Sequence, residues 1–530
     1  MYLSETVARE QFDKLTASDK LDLRKGIENL HKEMANGAVP VATGCSGTDL
    51  VLAALESLFD MWSSMFGIDL SVDHLYSCES KPFKQRFLQE NFHPPHIFPD
   101  LVEMKHKSVV NLEGHDVVIR TPFMWICGIE CDSISSLNAN RSGNFDCVAQ
   151  EKESKTGITG KACMEYIAAH RPPTFLLECV RNLQVVGKSG KSNLQLLQEF
   201  ANNIGYLLLS KAMNAFEYGV PQQRDRAYLL GILIASHRIN QARKGWALPP
   251  WVRQFTNVVL GMKINAQPLD NYLLPEDDPS VRLANVSVPT DKPLPKKKVT
   301  RKPKPIAAED GSDMPEKKQK SESSGLAYEV EHLSQYFAAQ VRWPPEMDAE
   351  FLLRAASCTE RQKQVLWLLE QTQGKVTTLK TLLVRDLHMS AEWQVEREGY
   401  MPCIVSSSAL WVRGASRGQY IERFLSGAEL LCLQGLDYGR QNLEGFSHSN
   451  LVDLAGNAFC SAVIFPLITG LFCCAPLAEA IKLSKMEFES LEEEGEESEA
   501  GGEADPVLDV SGDEQELMDF DIDDMEVGAA

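Results

Sequence analysis

Between residues 39 and about 235 the chain alternates short β-rich runs with helical stretches, and this rhythm limits the possible folds more than any other feature. The runs are AVPVATG, DHLYSCE, FMWICGI, TFLLECV and AYLLGILIA, with helical segments such as 161–170 and 192–203 between them. Repeated strand–helix units return the chain to the same end of a sheet, so the pattern predicts an α/β domain with a mostly parallel sheet. Sites in such sheets form beyond the carboxyl ends of the strands.

The flanks read differently. Residues 5–36 have helix-spaced apolar positions and suggest an N-terminal helical arm over 1–38. Residues 240–290 are irregular and Pro-rich, and 288–325 form a charged, low-complexity linker with no means of burying a core. Residues 326–400 are again helical, 401–482 mix strand and helix, and 483–530 form an acidic tail that reads as disordered. The stretch 459–481 is apolar enough for a membrane span, but Pro466, Gly470 and Pro476 interrupt it, which favours a buried helix pair and no membrane partner.

The net charge of −21 would discourage nucleic-acid binding if it were spread evenly. It is not. Residues 487–530 hold 19 Asp or Glu and no Lys or Arg, so the rest of the chain carries −21 + 19 = −2. The 13 cysteines include no CxxC pair and no Cys/His cluster at zinc spacing, which argues against structural metal and for a reducing compartment. Within the linker, PKKKVTRKPK (295–304) has the composition of a nuclear import signal, charged at Lys296, Lys297, Lys298, Arg301, Lys302 and Lys304.

Chemistry-bearing residues cluster at strand ends. The first strand runs into TGCSGTD, where Gly44, Ser46, Gly47 and Thr48 form a turn whose backbone can approach a ligand closely. Glu79 ends the next run, Asp100 closes a third strand in IFPDL, and Glu178 lies near the end of TFLLECV. In YGVPQQRDR, the alternation of Gln222, Arg224 and Arg226 predicts one shared face of donors if the segment is extended. Ser426 and Glu429 have capping-box spacing, and Gly456–Asn457 predicts a turn at the start of a long apolar helix. Cys131, in GIECDSIS, is either a nucleophile or a small buried thiol, since Glu130 and Asp132 both oppose a thiolate.

In order, TGCSGTD, Glu79, Asp100, CDSIS, LECV, YGVPQQRDR, RFLSGAELLCLQG and AGNA resemble the motif series of the cytosine C5-methyltransferases, over roughly 39–240 and 400–482. The resemblance implies a class I methyltransferase Rossmann-like sheet, with a catalytic core at 39–240 completed by 401–482. Residues 241–400 would then be an inserted target-recognition region. It implies S-adenosylmethionine as cofactor, held by Gly44, Ser46, Gly47, Thr48, Glu79, Asp100 and Asn457. Cys131 would add to cytosine C6, Glu178 would hold N3 and the exocyclic amine, and Arg224 and Arg226 would lie near O2.

The family's nucleophile usually stands in a Gly-Pro-Pro-Cys-Gln loop, where this chain has Gly128-Ile129-Glu130-Cys131-Asp132. The glutamate motif reads LECV rather than Glu-Asn-Val, and Thr48 replaces a common second glycine. Three functions follow from this pattern: methylation of cytosine in DNA in the nucleus, methylation of tRNA, or a catalytically weak homologue that binds partners or chromatin.

Overall fold

The computed structural model describes residues 3–136, 154–235, 249–286, 347–373, 381–389 and 397–486. The chain divides into two compact units: 1–275 with 399–408 and 426–530, and 276–398 with 409–425. The basic linker, the import-signal candidate and the acidic tail beyond residue 486 lie outside the described residues.

All five apolar runs become strands of the first unit: β1 (Ala38–Gly44), β2 (Ser71–Cys78), β6 (Met124–Gly128), β7 (Thr174–Val180) and β9 (Asp225–Leu233). With β3 (Ile97–Phe98) and β8 (Tyr206–Asn214) they form a seven-stranded sheet in the order β3-β2-β1-β6-β7-β9-β8. A small hairpin, β4 (Ser108–Val110) with β5 (Asp116–Val118), stands apart from it.

Helices α3 (Leu50–Phe66), α4 (Pro82–Asn91), α5 (Lys155–His170) and α6 (Asn193–Asn203) lie in the connections β1→β2, β2→β3, β6→β7 and β7→β8. Such crossovers keep strands parallel. The short connection from β8 to β9 has no crossover helix, and β9 accordingly pairs antiparallel with both β7 and β8. The chain builds outward from β1 through β2 to β3, then returns to β6 on β1's other side. That reversal opens a crevice at the carboxyl ends of β1 and β6.

The N-terminal arm is helical, as α1 (Leu3–Asp13) and α2 (Ala17–Glu33), and both helices pack into this unit. Their partner is the helix Ser461–Cys474, followed by a second helix over 477–486, as the sequence led us to expect. Pro466 lies inside the first of these helices and has no N–H for the carbonyl of Ala462. Gln11 of α1 supplies the missing donor: its Nε2 bonds that carbonyl at 2.8 Å and the carbonyl of Tyr218 at 2.9 Å.

The second unit holds a four-stranded antiparallel sheet, β11-β10-β12-β13 (Arg397–Glu398, Leu383–Asp386, Leu410–Ser416, Gln419–Phe424), with helices Ala349–Arg354 and Glu360–Gln373. Phe351, Val365, Leu366, Leu387, Trp411 and Phe424 form its core. Two expectations change here. The region before residue 400 is not purely helical, and the hairpin β12–β13 belongs to this unit rather than to the C-terminal part of the core. The first unit also extends to residue 275 rather than 240, because the helix Pro250–Gly261 buries its apolar face against Ser461–Cys474.

Candidate active site at the carboxyl ends of the central strands

Strand register assembles the site. Gly44 of β1 pairs with Cys127 of β6, Gly128 of β6 pairs with Glu178 of β7, and Val180 of β7 pairs with Arg226 of β9. The turn after β1, the Cys131 loop after β6 and the Glu178–Arg226 pair therefore share one edge of the sheet. The carbonyl of Glu178 accepts the N–H of Ile129 at 2.9 Å, which holds the chain leaving β6 beside β7.

The Cys131 loop is tied down on both sides. Ile134 and Ser135 donate to the Cys131 carbonyl at 3.1 and 2.9 Å. Glu130 N–H donates to Thr159 Oγ1 and Ser133 N–H to Thr156 Oγ1, both on the first turns of α5, and Asn182 Nδ2 donates to the Ile134 carbonyl at 2.8 Å. Hydrogen bonds to neighbouring elements replace the stiffness that proline gives the family's loop.

Burial pushes the Cys131 thiol up to about 11; the Arg226 guanidinium pulls it down, while Glu178, Glu130 and Asp132 push it further up. Asp132 is exposed and Glu130 half-buried, yet both still act on the thiol. Cys127, by contrast, is fully buried with its Sγ 3.5 Å from Cys163 Sγ, and burial raises its thiol well above the usual range. The packed thiol and the thiol at the crevice are thus distinct.

The donors of YGVPQQRDR do not share a face. Arg224 N–H donates to the Gln222 carbonyl at 3.0 Å, a tight turn that breaks the alternation before β9 begins at Asp225. Arg226 Nε meets Glu178 Oε1 at 2.9 Å. Arg224 lies farther from that carboxylate, at 3.9 Å, and gives its N–H groups to the carbonyls of Ile404 (3.1 Å), Gly456 (3.3 Å) and Ala458 (2.7 Å). It clasps two chain segments. Gln222 is fully buried against Gln434, whose Nε2 donates to its Oε1 at 3.1 Å.

The turn after β1 is shaped by close contacts. A β-carbon on Gly44 would stand 2.8 Å from the Trp125 ring and 3.1 Å from Cys127 Sγ, both buried side chains with little room to give. Ser46 N–H and Oγ reach the Cys78 carbonyl at 3.0 and 3.2 Å. Gly47 N–H donates to Glu79 Oε2 and Lys81 N–H to Glu79 Oε1, both at 2.9 Å, while Thr48 is buried beneath the turn.

Asp100 is exposed and caps the N–H of Val102 at 2.9 Å. Asn457 ends the helix His448–Asn457 rather than opening the apolar helix, and its Nδ2 bonds the carbonyl and Oδ1 of Asp453. Glycine at 456 is required because a β-carbon there would fall 2.2 Å from Ser406 N.

Two residues that the sequence did not single out belong to this site. Asp49 is buried under the turn, with Oδ2 accepting from Ser77 Oγ at 2.6 Å, and burial pushes its carboxyl up to about 7. Cys403 accepts from Arg226 Nη2 at 3.4 Å. An acid directly before a helix is the local signal for the first; nothing local marks the second, which arrives from a distant segment.

The turn fits a nucleoside-bearing cofactor. Each Glu79 oxygen accepts one backbone N–H and keeps a lone pair for a hydroxyl donor. A β-carbon on Gly47 would meet only the Asn457 and Cys45 carbonyls, each at 3.8 Å, which leaves space between the turn and the end of the helix His448–Asn457. Among the described residues, no three His, Cys, Asp or Glu side chains are grouped to hold a metal.

Residues 43–245 match the family model described as C-5 cytosine-specific DNA methylase. The chain is 24% identical over 473 residues to DNA (cytosine-5-)-methyltransferase DMT5 of Cryptococcus neoformans, covering 83% of this chain and 17% of that protein. A protein of the same name in Verticillium dahliae is 24% identical over 259 residues, 42% of this chain and 11% of its own length. Type II methyltransferase M.BanI of Aneurinibacillus aneurinilyticus is 44% identical over 66 residues, 12% of this chain and 14% of its own. The chain thus spans under a fifth of the length of these relatives.

Proposed function

We propose that this chain, which belongs to the C-5 cytosine-specific DNA methylase family through residues 43–245, transfers a methyl group from S-adenosylmethionine to C5 of cytosine in DNA. The observation that carries the reading is the meeting of Cys131, Glu178 and Arg226 beside the turn at Gly44–Thr48.

S-adenosylmethionine, when bound, supplies the electrophilic methyl group. The turn and Glu79 would hold it, with Asp100 and Asn457 as further candidate contacts. The protein's own residues deal with the base, which must leave the helical stack to reach them. Cys131 sulfur bonds to C6, and the C5=C6 electron pair becomes available at C5 for the methyl group. Glu178 faces N3 and the exocyclic amine, where the added proton rests, and Arg226 stabilises charge at O2. Loss of the C5 proton to a base then expels the thiolate. Because the resting thiol sits near 11, attack is coupled to protonation of the base rather than preceded by a free thiolate.

That raised thiol also favours a second reading, a catalytically weak homologue that binds chromatin or other proteins. Incubation of purified protein with labelled S-adenosylmethionine and either DNA or tRNA separates the readings. Label in DNA supports the proposal, label in tRNA moves the substrate to RNA, and cofactor binding without transfer supports the binding protein.

A nuclear site of action follows from residues 295–304 as an import signal. Alanine at Lys296, Lys297 and Lys298 in a fluorescent fusion should abolish nuclear accumulation; an unchanged signal counts against it.

A further inference from the structure

We propose that Cys403 is a positioning residue that joins Arg224 and Arg226 into one hydrogen-bonded unit and so orients the Arg226 guanidinium beside Cys131. This rests on the methyltransferase reading above.

Arg226 is held on three sides. Nε meets Glu178 Oε1 at 2.9 Å, Nη1 donates to the Asp225 carbonyl at 2.9 Å, and Nη2 donates to Cys403 Sγ at 3.4 Å. A guanidinium is planar, so one hydrogen bond on each Nη atom together with the ion pair at Nε fixes its plane. The sulfur also acts as a donor: the Cys403 thiol reaches the Ile404 carbonyl at 3.5 Å. That carbonyl accepts Arg224 Nη1 at 3.1 Å as well. A single path therefore runs from Arg224 through the Ile404 carbonyl and Cys403 to Arg226 and Glu178.

Backbone pairing explains why residue 403 falls at this place. Gln222 and Met401 form a parallel bridge, with Gln223 N–H on the Met401 carbonyl and Met401 N–H on the Pro221 carbonyl, each at 2.9 Å. The segment 399–408 is thereby laid alongside 221–226, and the residue two beyond Met401 lies next to the arginines. Cys403 is half-buried, and its thiol makes both of the polar contacts that link them.

The test compares wild type, Cys403→Ala and Cys403→Ser in steady-state methylation. Alanine can neither accept from Arg226 nor donate to Ile404; serine can do both. We expect Cys403→Ala to lower kcat roughly tenfold with KM for DNA and cofactor within about twofold, since small misplacement of a catalytic group costs rate more than binding. Cys403→Ser should recover most of the loss. Wild-type kcat in the alanine variant, or a serine variant as impaired as alanine, overturns the proposal. A second measurement does not depend on turnover: the unfolding midpoints of Cys403→Ala, Arg226→Lys and the double variant. Coupling predicts a combined loss smaller than the sum of the two, and strict additivity overturns it. If the wild type methylates neither DNA nor tRNA, the functional reading falls, and the midpoints alone decide whether Cys403 holds Arg226.

Discussion

Arg226 Nε lies 2.9 Å from Glu178 Oε1, a diagonal contact across the antiparallel pairing of β9 with β7, in which Val180 stands opposite Arg226 and Glu178 opposite Tyr228. The pair is partly shielded from water, with side chains 11% and 13% exposed. Glu178→Gln keeps an acceptor for Arg226 but loses the charge and the proton it can carry. Its kcat should fall by about 10²–10⁴, the usual range for a positioned acid–base group. Circular dichroism and single-turnover rates check this; a folded Glu178→Gln variant with wild-type rates would remove Glu178 from the chemistry.

Cys131 should be a slow nucleophile at neutral pH. With the thiol near 11, about one part in 10³ is thiolate at pH 8. Iodoacetamide labelling of Cys131, followed by peptide mass, should therefore accelerate with pH up to at least about 10 without levelling. Removing the negative neighbours with Glu130→Gln and Asp132→Asn should speed labelling several-fold at pH 8, because both carboxylates oppose the thiolate. A plateau near pH 8 would mean the thiol is not raised.

Asp49 predicts a pH-dependent stability. Its carboxyl is raised from an ordinary 3.8 to about 7 by burial. Between those values the folded protein keeps a proton that the unfolded chain has released. Stability contributed by the neutral form is thus full below about 3.8, is lost as pH rises toward 7, and levels off above. Asp49→Asn removes the effect, so its stability relative to wild type should grow by up to ~1.4 kcal/mol per pH unit across that window. Urea unfolding at pH 4.5, 6 and 8 measures it, and a pH-independent difference contradicts it.

Much of this was legible in the sequence because the strands are short apolar runs buried on both faces. β8 escaped notice: YLLLSKAMN carries a buried Lys211 and a buried Ser210, which break its apolar run, although the turn at Gly205 marks where it begins. The roles of the arginines were only half legible. Alternation predicts a shared face for Gln222, Arg224 and Arg226, but a backbone turn from Arg224 to Gln222 lies outside any side-chain pattern. Asp49 and Cys403 depend on tertiary neighbours from β2 and from segment 399–408, which no local window contains.

Arg224 should matter to stability more than Arg226 does. Arg224→Met leaves the carbonyls of Gly456 and Ala458 without their side-chain donor and the Ile404 carbonyl with only the Cys403 thiol. Each buried group that loses its partner costs about 1–3 kcal/mol. The unfolding midpoint should drop clearly, whereas Arg226→Lys should lower kcat with a smaller change in midpoint. The reverse ranking would mean that the clasp holds nothing the fold needs.

Methyl transfer by this chain depends on covalent attack by Cys131. DNA containing 5-fluorocytosine cannot lose its C5 substituent, so an enzyme that attacks C6 and methylates C5 is trapped on it. Wild-type protein with S-adenosylmethionine should give a denaturation-resistant adduct whose mass maps to Cys131; Cys127→Ala should form it too, and Cys131→Ala should not. Wild-type protein that binds the cofactor yet forms no adduct on DNA or RNA, or an adduct that persists in Cys131→Ala, contradicts the account.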